Sequence, residues 1–261
     1  MEYGIAYLSI IPVRSEPDHR SEMVTQILFG EHFKVLEKNN GWCFIHLFYD
    51  DYEGWIDEKM CYYITPNVYE SLSNEISFVS HEIVNVVQRA KKETPFMIVS
   101  GSNLPFYNSV DKSFKIDDEQ FYFYGDISEK KEDDMRASIT DAALNYVDAP
   151  YLWGGRSPFG IDCSGLTQIV YKLNGIKIPR DASQQVELGK AITFADKSLP
   201  GDLAFFDDEE GNIIHVGIVL NDKKIIHASG KVRVDLFDHQ GIFNNETKKY
   251  SHRLRVIKQI V

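Results

Sequence analysis

The sequence predicts an α+β fold in which small β-rich modules come first and a domain of two helices followed by strands comes last. Residues 1–65 contain short apolar runs separated by turn signals at Asn39-Asn40-Gly41 and from Asp50 to Gly54. Several strands at this spacing favour a small barrel. After Arg136, apolar residues recur at helical spacing in two segments, and four strand-like runs follow. Helices that precede a run of strands are typical of α+β domains.

Composition excludes several classes of protein. The 261 residues carry 28 Lys+Arg and 39 Asp+Glu, which gives a formal charge of −11. An acidic chain without a basic cluster is not expected to bind nucleic acid, because Lys or Arg must neutralise the phosphates. Three Cys residues do not make a disulfide scaffold. No apolar run approaches the roughly 20 residues that span a bilayer, and the start shows no secretory leader. We therefore expect a cytoplasmic protein without membrane contact if Met1 is the native start.

Residues 66–130 are predicted to form a second small β-module. The stretch GSNLPFYN resembles LSIIPVRSEP near the start, because each is an apolar turn around a proline. The stretch NEISFVSHEIVNVVQRAKK fits either helix or strand. The run from Ser128 to Asp134 is charged and has no apolar residue, which indicates a solvated linker or the start of a helix. The predicted domains are therefore 1–65, 66–130 and 136–261.

Two amphipathic helices open the last domain. The first is expected to continue until Pro150 stops it, and the second to end at Asn174-Gly175. The segments GDLAFF, HVGIVL, KIIHASG and RLRVIKQI then read as strands. The apolar stripes consist of Ile139, Ala142, Ala143, Tyr146 and Val147 in the first helix and of Leu166, Ile169, Val170 and Leu173 in the second.

Cys163 is a candidate nucleophile at the predicted start of the second helix. Unpaired backbone N–H groups and the helix dipole at that end favour the thiolate, which is the reactive form of cysteine. Asp162 or Ser164 is suited to cap the helix, and Gly165 leaves space for a substrate. A single cysteine is more often a small buried hydrophobic residue, so the assignment depends on its neighbours.

His215 and His227 are the candidate partners of this cysteine. They lie 12 residues apart, in two runs that form an antiparallel hairpin if the chain turns at Asn221-Asp222. The even separation is compatible with both side chains on one face. A nucleophilic cysteine needs a base and a group that orients the base. Taken singly, each histidine reads equally well as a packed or surface imidazole.

A zinc site is the alternative use of histidine and cysteine. Structural zinc ligands usually come in close pairs such as C-x₂₋₄-C or H-x₃₋₅-H, and the sequence has no such pair. We therefore predict neither a metal nor a cofactor.

The stretch from Ala137 to Ile257 resembles the NlpC-type cysteine peptidases of bacterial cell-wall metabolism. The motifs Y-x-W-G-G, D-C-S-G, P-R-[DT]-x-x-x-Q, P-G-D-L-x-F-F, H-V-G-I and H-A occur in that order. The resemblance implies a papain-like domain with Cys163 as nucleophile, His215 as base and His227 as the orienting residue. The N-terminal part resembles bacterial SH3-like domains, which implies two small β-barrels before the peptidase domain.

Within that family, the arrangement is similar to enzymes that cut between D-Glu and the diamino acid of murein peptides. This implies murein tri- and tetrapeptides as substrates, release of L-Ala-D-Glu and a role in cell-wall recycling. Such enzymes require a free N-terminal L-Ala, and the resemblance implies that Asp181 binds its amine. An acid and a tyrosine of the first SH3-like domain are expected to assist. The candidates are Glu22 and Tyr52, with Glu31 as a weaker substitute for Glu22.

Three further residues are candidates for substrate binding. The resemblance places the Tyr151 hydroxyl near the oxyanion or the substrate carboxylate, whereas packing beside Trp153 is the alternative. Arg180 and Ser164 are candidates for the α-carboxylate of D-Glu. A structural ion pair for Arg180 and a helix cap for Ser164 remain open.

Two other functions are compatible with these features. One is a peptidoglycan-binding protein whose papain-like domain is inactive, although the complete Cys/His/His set argues against it. The other keeps the papain-like chemistry but uses it as an amidase or acyltransferase.

Overall fold

The computed structural model describes residues 1–75, 78–128 and 134–261, and the chain divides into two compact units. The first consists of Met1–Glu129 and Trp153–Ser157, and the second of Lys130–Leu152 and Pro158–Val261. Most of the predicted charged linker, residues 129–133, lies outside the described residues. No helix in the described ranges is long and apolar enough to cross a membrane.

A seven-stranded antiparallel sheet forms the first part of the first unit, with the order β3-β2-β6-β5-β4-β1-β7. The predicted turn at Asn40-Gly41 joins β4 to β5, and both residues have positive φ. Ile11, Ile27 and Ile45 are fully buried in its core together with Cys43. The strands are Glu2–Ile5 (β1), Ile10–Arg14 (β2), Met23–Leu28 (β3), His32–Asn39 (β4), Trp42–Leu47 (β5), Glu53–Asp57 (β6) and Tyr62–Ile64 (β7).

The rest of the first unit is also mainly β-structure. A helix that the sequence did not predict, α1 at Pro66–Ser73, begins where Thr65 Oγ1 accepts from Val68 N–H and proline occupies the first turn. The ambiguous stretch around residue 85 is a strand in the sheet β10-β9-β13-β12. The strands are Phe78–Val79 (β8), Val84–Arg89 (β9), Phe96–Val99 (β10), Asn103–Leu104 (β11), Ser113–Ile116 (β12) and Glu119–Tyr124 (β13).

The second unit follows the predicted order of helices and then strands. Its long helix, Cys163–Leu173, is buried along its whole length and packs against two central strands of the sheet β16-β22-β17-β18-β19-β20-β21. β21 also pairs with β22, so the strands from β22 to β21 close into a ring. The helices are Met135–Leu144 (α2), Cys163–Leu173 (α3) and Ala182–Gln185 (α4). The strands after the short β14 (Arg156–Ser157) and β15 (Gly160–Ile161) are Lys190–Ile192 (β16), Leu203–Asp207 (β17), Ile213–Val219 (β18), Lys224–Ser229 (β19), Lys231–Phe237 (β20), Gly241–Asn244 (β21) and Lys249–Gln259 (β22).

The prediction that the first of these helices continues to Pro150 is wrong. α2 ends at Leu144, because the following chain pairs with a strand instead. Asp148 has a φ of 69°, and its N–H donates to Val232 O at 2.9 Å. The Val232 N–H in turn donates to Ala149 O at 2.8 Å. These two bonds divert the backbone from the helical path before the proline is reached.

Candidate active site

Cys163 is the first residue of α3, as the sequence predicts. Asp162 caps the helix, and its carboxylate accepts from Gly165 N–H at 2.7 Å. The cysteine side chain is buried, with 8 % of the residue exposed. The backbone N–H groups of Ser164 and Val216 hydrogen-bond with the sulfur. Because Val216 directly follows His215, the thiol lies beside the peptide unit of the proposed base.

The expectation that the helix end holds this sulfur as a thiolate is wrong for the resting chain. Burial, with a smaller contribution from the Asp162 carboxylate, raises the pKa of Cys163 to about 12. Three smaller effects lower this pKa, namely the N–H groups of Val216 and Ser164 and the charge of Arg180. Their sum does not offset burial. Desolvation outweighs the helix end because a charged sulfur loses its hydration there. The raised pKa favours the thiol over the thiolate at neutral pH.

His215 and His227 lie on neighbouring strands and contact each other directly. β18 and β19 pair antiparallel with Ile218 opposite Ile226, which confirms the predicted hairpin. His215 Nε2 and His227 Nδ1 are 2.9 Å apart, and both side chains are buried. Burial, followed by the neighbouring imidazoles, lowers the pKa of His215 well below its usual value. His215 is therefore neutral at pH 7 and able to accept a proton.

Gly217 makes this contact between the histidines possible. A Cβ atom built there would lie 2.8 Å from Ile225 Cδ1 and 3.0 Å from His227 Cβ. Both separations are shorter than ordinary carbon contacts. A larger residue at this position would have to displace the Ile225 side chain and His227, so packing favours glycine in the H-V-G motif.

Asp235 continues the chain of contacts, and the sequence interpretation missed it. Its Oδ2 lies 3.1 Å from His227 Nε2 and 2.6 Å from Arg233 Nε, while Oδ1 accepts from Arg233 Nη2 at 3.1 Å. The register of the β19–β20 hairpin could have predicted Asp235 as a neighbour of His227. The turn at Gly230 sets Arg233 opposite His227, which leaves residue 235 on the same face of the sheet.

His252 is the second residue that the sequence interpretation missed. Its ring stacks on that of His215 with 4.1 Å between centroids and 20° between planes. Burial, followed by the effect of His227, lowers the pKa of His252 to about 4. No motif singles this residue out, because β22 is distant in sequence.

Nitrogen atoms of His215, His227 and His252 all lie within 4.8 Å of one another. This spacing would allow a metal ion to bind after small ring movements. Two of these nitrogens, His215 Nε2 and His227 Nδ1, already hydrogen-bond to each other. The three histidines therefore form a connected polar cluster without an ion, and the predicted absence of a metal stays a prediction.

Tyr151 and Asp181 lie in the second unit and are both half-buried. Burial, followed by electrostatic interactions with Cys163 and Asp162, raises the pKa of Tyr151 to about 12. The phenol is therefore within electrostatic reach of the cysteine and remains protonated. Asp181 precedes α4, and its N–H donates to the side chain of Gln184 at 3.3 Å. The predicted contact of Asp181 with a substrate amine stays a prediction.

Arg180 forms the buried ion pair that the sequence left open as its alternative role. Its Nη1 and Nη2 donate to the two oxygens of Asp162 at 3.0 and 2.6 Å, and Nη1 also donates to Ser164 Oγ at 2.8 Å. With 1 % of the residue exposed, the guanidinium fixes the cap of α3. The proposed binding of D-Glu by Arg180 and Ser164 stays a prediction.

The candidate residues of the first unit differ strongly in burial. Glu22 is exposed and accepts from Trp153 Nε1 at 2.6 Å. Tyr52 is half-buried against the core of the first sheet. Glu31 is 1 % exposed and forms a two-pronged ion pair with Arg156 at 2.9 and 3.0 Å. The suggestion that Glu31 substitutes for Glu22 is therefore wrong, because its carboxylate is enclosed and already neutralised.

Gly154 of the Y-x-W-G-G motif also belongs to the first unit. Its φ is +74°, and a Cβ there would lie 2.2 Å from Met23 O. The motif therefore requires glycine at this position because the backbone approaches so closely.

Comparison with known proteins agrees with this geometry. Residues 148–252 match the NlpC/P60 family, and residues 13–60 match the bacterial dipeptidyl-peptidase Sh3 domain. The gamma-D-glutamyl-L-lysine dipeptidyl-peptidase of Bacillus subtilis is 30% identical over 217 residues, which cover 78% of this chain and 71% of that protein.

The chain belongs to the NlpC/P60 family. The dipeptidyl-peptidase 6 of Lysinibacillus sphaericus is also similar, at 29% identity over 250 residues that cover 87% of this chain and 88% of that one. An NlpC/P60 family protein from Bacillus cereus has the same fold, with a TM-score of 0.80, 19% identity and coverage of 100% of this chain and 99% of that one. The predicted papain-like peptidase domain and N-terminal SH3-like domain are confirmed, and the protein is an NlpC/P60 peptidase. A second SH3-like domain and the domain boundaries stay predictions.

Proposed function

We propose that this NlpC/P60 peptidase is a cysteine endopeptidase of murein tri- and tetrapeptides that cuts between γ-D-Glu and the diamino acid. The names of two relatives, which refer to γ-D-glutamyl-L-lysine, support this bond. The observation that carries the chemistry is the 2.9 Å contact of His215 with His227 beside the buried Cys163 thiol. A nucleophile, a base and an orienting group are the three parts that covalent acyl transfer needs.

The first step couples attack with proton transfer. The high pKa of Cys163 and the low pKa of His215 mean that the resting pair is a neutral thiol and a neutral imidazole. As sulfur bonds to the γ-carbonyl carbon of D-Glu, its proton moves to the imidazole. The resulting imidazolium is stabilised through His227, whose other nitrogen lies beside the Asp235 carboxylate. Proton transfer in the attack step therefore removes the need for a preformed thiolate.

The second step releases the diamino acid and then the dipeptide. The Cys163 N–H at the start of α3 is the donor proposed for the carbonyl oxygen as it becomes negative. The imidazolium returns its proton to the leaving amine, and the C–N bond breaks. Water, deprotonated by the same imidazole, then hydrolyses the thioester and frees L-Ala-D-Glu.

The requirement for a free N-terminal amine rests on Asp181. A carboxylate in a half-buried position pairs well with an ammonium group. An acylated amine has no charge and more bulk, so it leaves the carboxylate without a counter-charge. Selection of free peptides is consistent with a role in the recycling of cell-wall fragments.

Mass spectrometry of the reaction products tests the bond, the nucleophile and the amine requirement. The wild-type protein is expected to convert L-Ala-γ-D-Glu-L-Lys and its diaminopimelate analogue into L-Ala-D-Glu and the free diamino acid. Cys163→Ala is expected to abolish this reaction, whereas the control Cys61→Ala, which changes a half-buried thiol of the first unit, is expected to retain it.

Peptides with an acetylated amine are expected to react far more slowly. Equal rates on free and blocked peptides would contradict the assigned specificity. Cleavage of a muramyl-linked peptide at the amide bond before L-Ala would favour the amidase alternative, and full activity of Cys163→Ala would exclude the mechanism.

A further inference from the structure

The Asp235 carboxylate is buried between the Arg233 guanidinium, which can only donate hydrogen bonds, and the His227 imidazole. It is 4 % exposed and accepts two hydrogen bonds from the Arg233 guanidinium. Burial alone would raise its pKa, but the hydrogen bonds from His227 and Arg233 outweigh burial, so the pKa is lowered. Asp235 is therefore ionised and acts only as an acceptor.

An ionised Asp235 fixes the position of each proton along the two histidines. The 3.1 Å contact with Asp235 requires a proton on His227 Nε2. A His227 ring that carries this proton as its single N–H has Nδ1 as a bare acceptor. The 2.9 Å contact then requires a proton on His215 Nε2. The remaining nitrogen of His215, Nδ1, then carries the unprotonated lone pair of that ring.

We propose that Asp235, held by Arg233, is a positioning residue that sets the tautomers of His227 and His215 and leaves His215 Nδ1 as the base. This inference rests on the proposed roles of Cys163 and His215. It adds a carboxylate to the Cys/His/His set. This carboxylate contacts the second histidine, His227, and not the proposed base, His215. During attack, the same carboxylate stabilises the positive charge that arrives on His215.

The surroundings of Asp235 make this role specific to a carboxylate. Arg233 lies opposite His227 in the strand register and approaches Glu246 at 3.5 Å. The guanidinium and the imidazole both donate toward Asp235 from fixed positions. In Asp235→Asn, the amide has only one oxygen for these two partners. Its NH₂ group must therefore face a donor, either the guanidinium or His227 Nε2.

Histidine ¹⁵N NMR of the wild-type protein tests the proton positions without any substrate. Long-range ¹H–¹⁵N spectra distinguish the two neutral tautomers, and His215→Gln and His227→Gln samples provide the assignment. Both residues are expected to carry the proton on Nε2 at pH 7. Protonation of either residue on Nδ1 instead would overturn the inference. This readout is independent of peptide cleavage, so its failure is distinguishable from failure of the proposed function.

Steady-state kinetics of Asp235→Asn provide the second test. The expected result is a fall in kcat of about 100-fold, the lower end of what a positioned general base contributes, with KM within about twofold of wild type because no substrate contact is removed. Asp238→Asn is the matched control, because that carboxylate lies three residues further on and accepts from Tyr250 at 2.7 Å. A kcat of Asp235→Asn equal to that of the folded control would overturn the inference. If Asp235→Asn does not fold, the wild-type NMR experiment still decides.

Discussion

The buried pair of Glu31 and Arg156 provides the largest single-residue stability effect that we predict. Both residues are at most 1 % exposed, and two N–H···O contacts of 2.9 and 3.0 Å join them. Arg156 also donates to Gln26 O at 2.7 Å, and Glu31 accepts from Leu28 N–H at 2.8 Å. Glu31→Gln preserves the shape of the side chain and removes its charge. The guanidinium then loses the carboxylate that it binds directly and keeps the electrostatic attraction of Asp50.

The size of the effect follows from this burial. Removal of one partner of a buried ion pair costs about 3–5 kcal/mol, because the remaining charge has lost its hydration. A unit of this size loses about 4 °C in Tm for each kcal/mol by which its free energy of unfolding falls. The unfolding transition of the first unit is therefore expected to fall by roughly 10–20 °C in Glu31→Gln.

Differential scanning calorimetry measures this shift, and two further variants make the interpretation specific. Glu2→Gln removes one of the two acidic partners of Lys38, in a solvent-exposed ion pair at 2.6 Å, and is expected to leave Tm within error. The double variant Glu31→Leu/Arg156→Met removes both buried charges and is expected to recover most of the loss. A Glu31→Gln shift no larger than that of Glu2→Gln would refute the reasoning from burial.

Three predictions concern the chemistry of the second unit. Gly217→Ala is expected to lower kcat at least about tenfold and stability by about 1–3 kcal/mol, because the new methyl group meets His227 Cβ at 3.0 Å; wild-type kcat and stability in this variant would contradict the packing argument. Alkylation of Cys163 by iodoacetamide is expected to rise about tenfold per pH unit from pH 7 to 9 without a plateau, because the thiolate fraction grows until the pH reaches the raised pKa of about 12. A plateau below pH 7 would show that the thiol is already ionised. Peptide cleavage is expected to persist below pH 6.5, because the lowered pKa keeps His215 neutral there and protonation removes the base only at more acidic pH.

Local patterns in the sequence predicted those parts of the site that lie within a few residues of one another. Asp162 and the stripe beginning at Leu166 identified the helix that starts at Cys163. The even separation of His215 and His227 correctly placed both on one face of a hairpin. These signals succeed because helix caps and antiparallel register are set by neighbours in the chain.

The features that sequence reasoning missed depend on contacts between distant elements. His252 stacks on His215 although their strands are separated by β17 in the sheet. The pairing of Glu31 with Arg156 joins residues 125 positions apart. The ionisation of Cys163 was misjudged for a related reason. The sequence predicts the start of the helix, but it does not predict how deeply the sulfur is buried. Such effects require the packed structure.

Acid-quench trapping of the covalent intermediate most directly tests Cys163 as the nucleophile toward γ-D-Glu. The protein is mixed with L-Ala-γ-D-Glu-L-Lys, quenched within one turnover and mapped by peptide mass spectrometry. The proposed mechanism requires an L-Ala-D-Glu acyl group on Cys163 and no acyl group in the Cys163→Ala variant. Release of L-Ala-D-Glu in full yield by that variant, or an acyl group on any other residue, would contradict the mechanism.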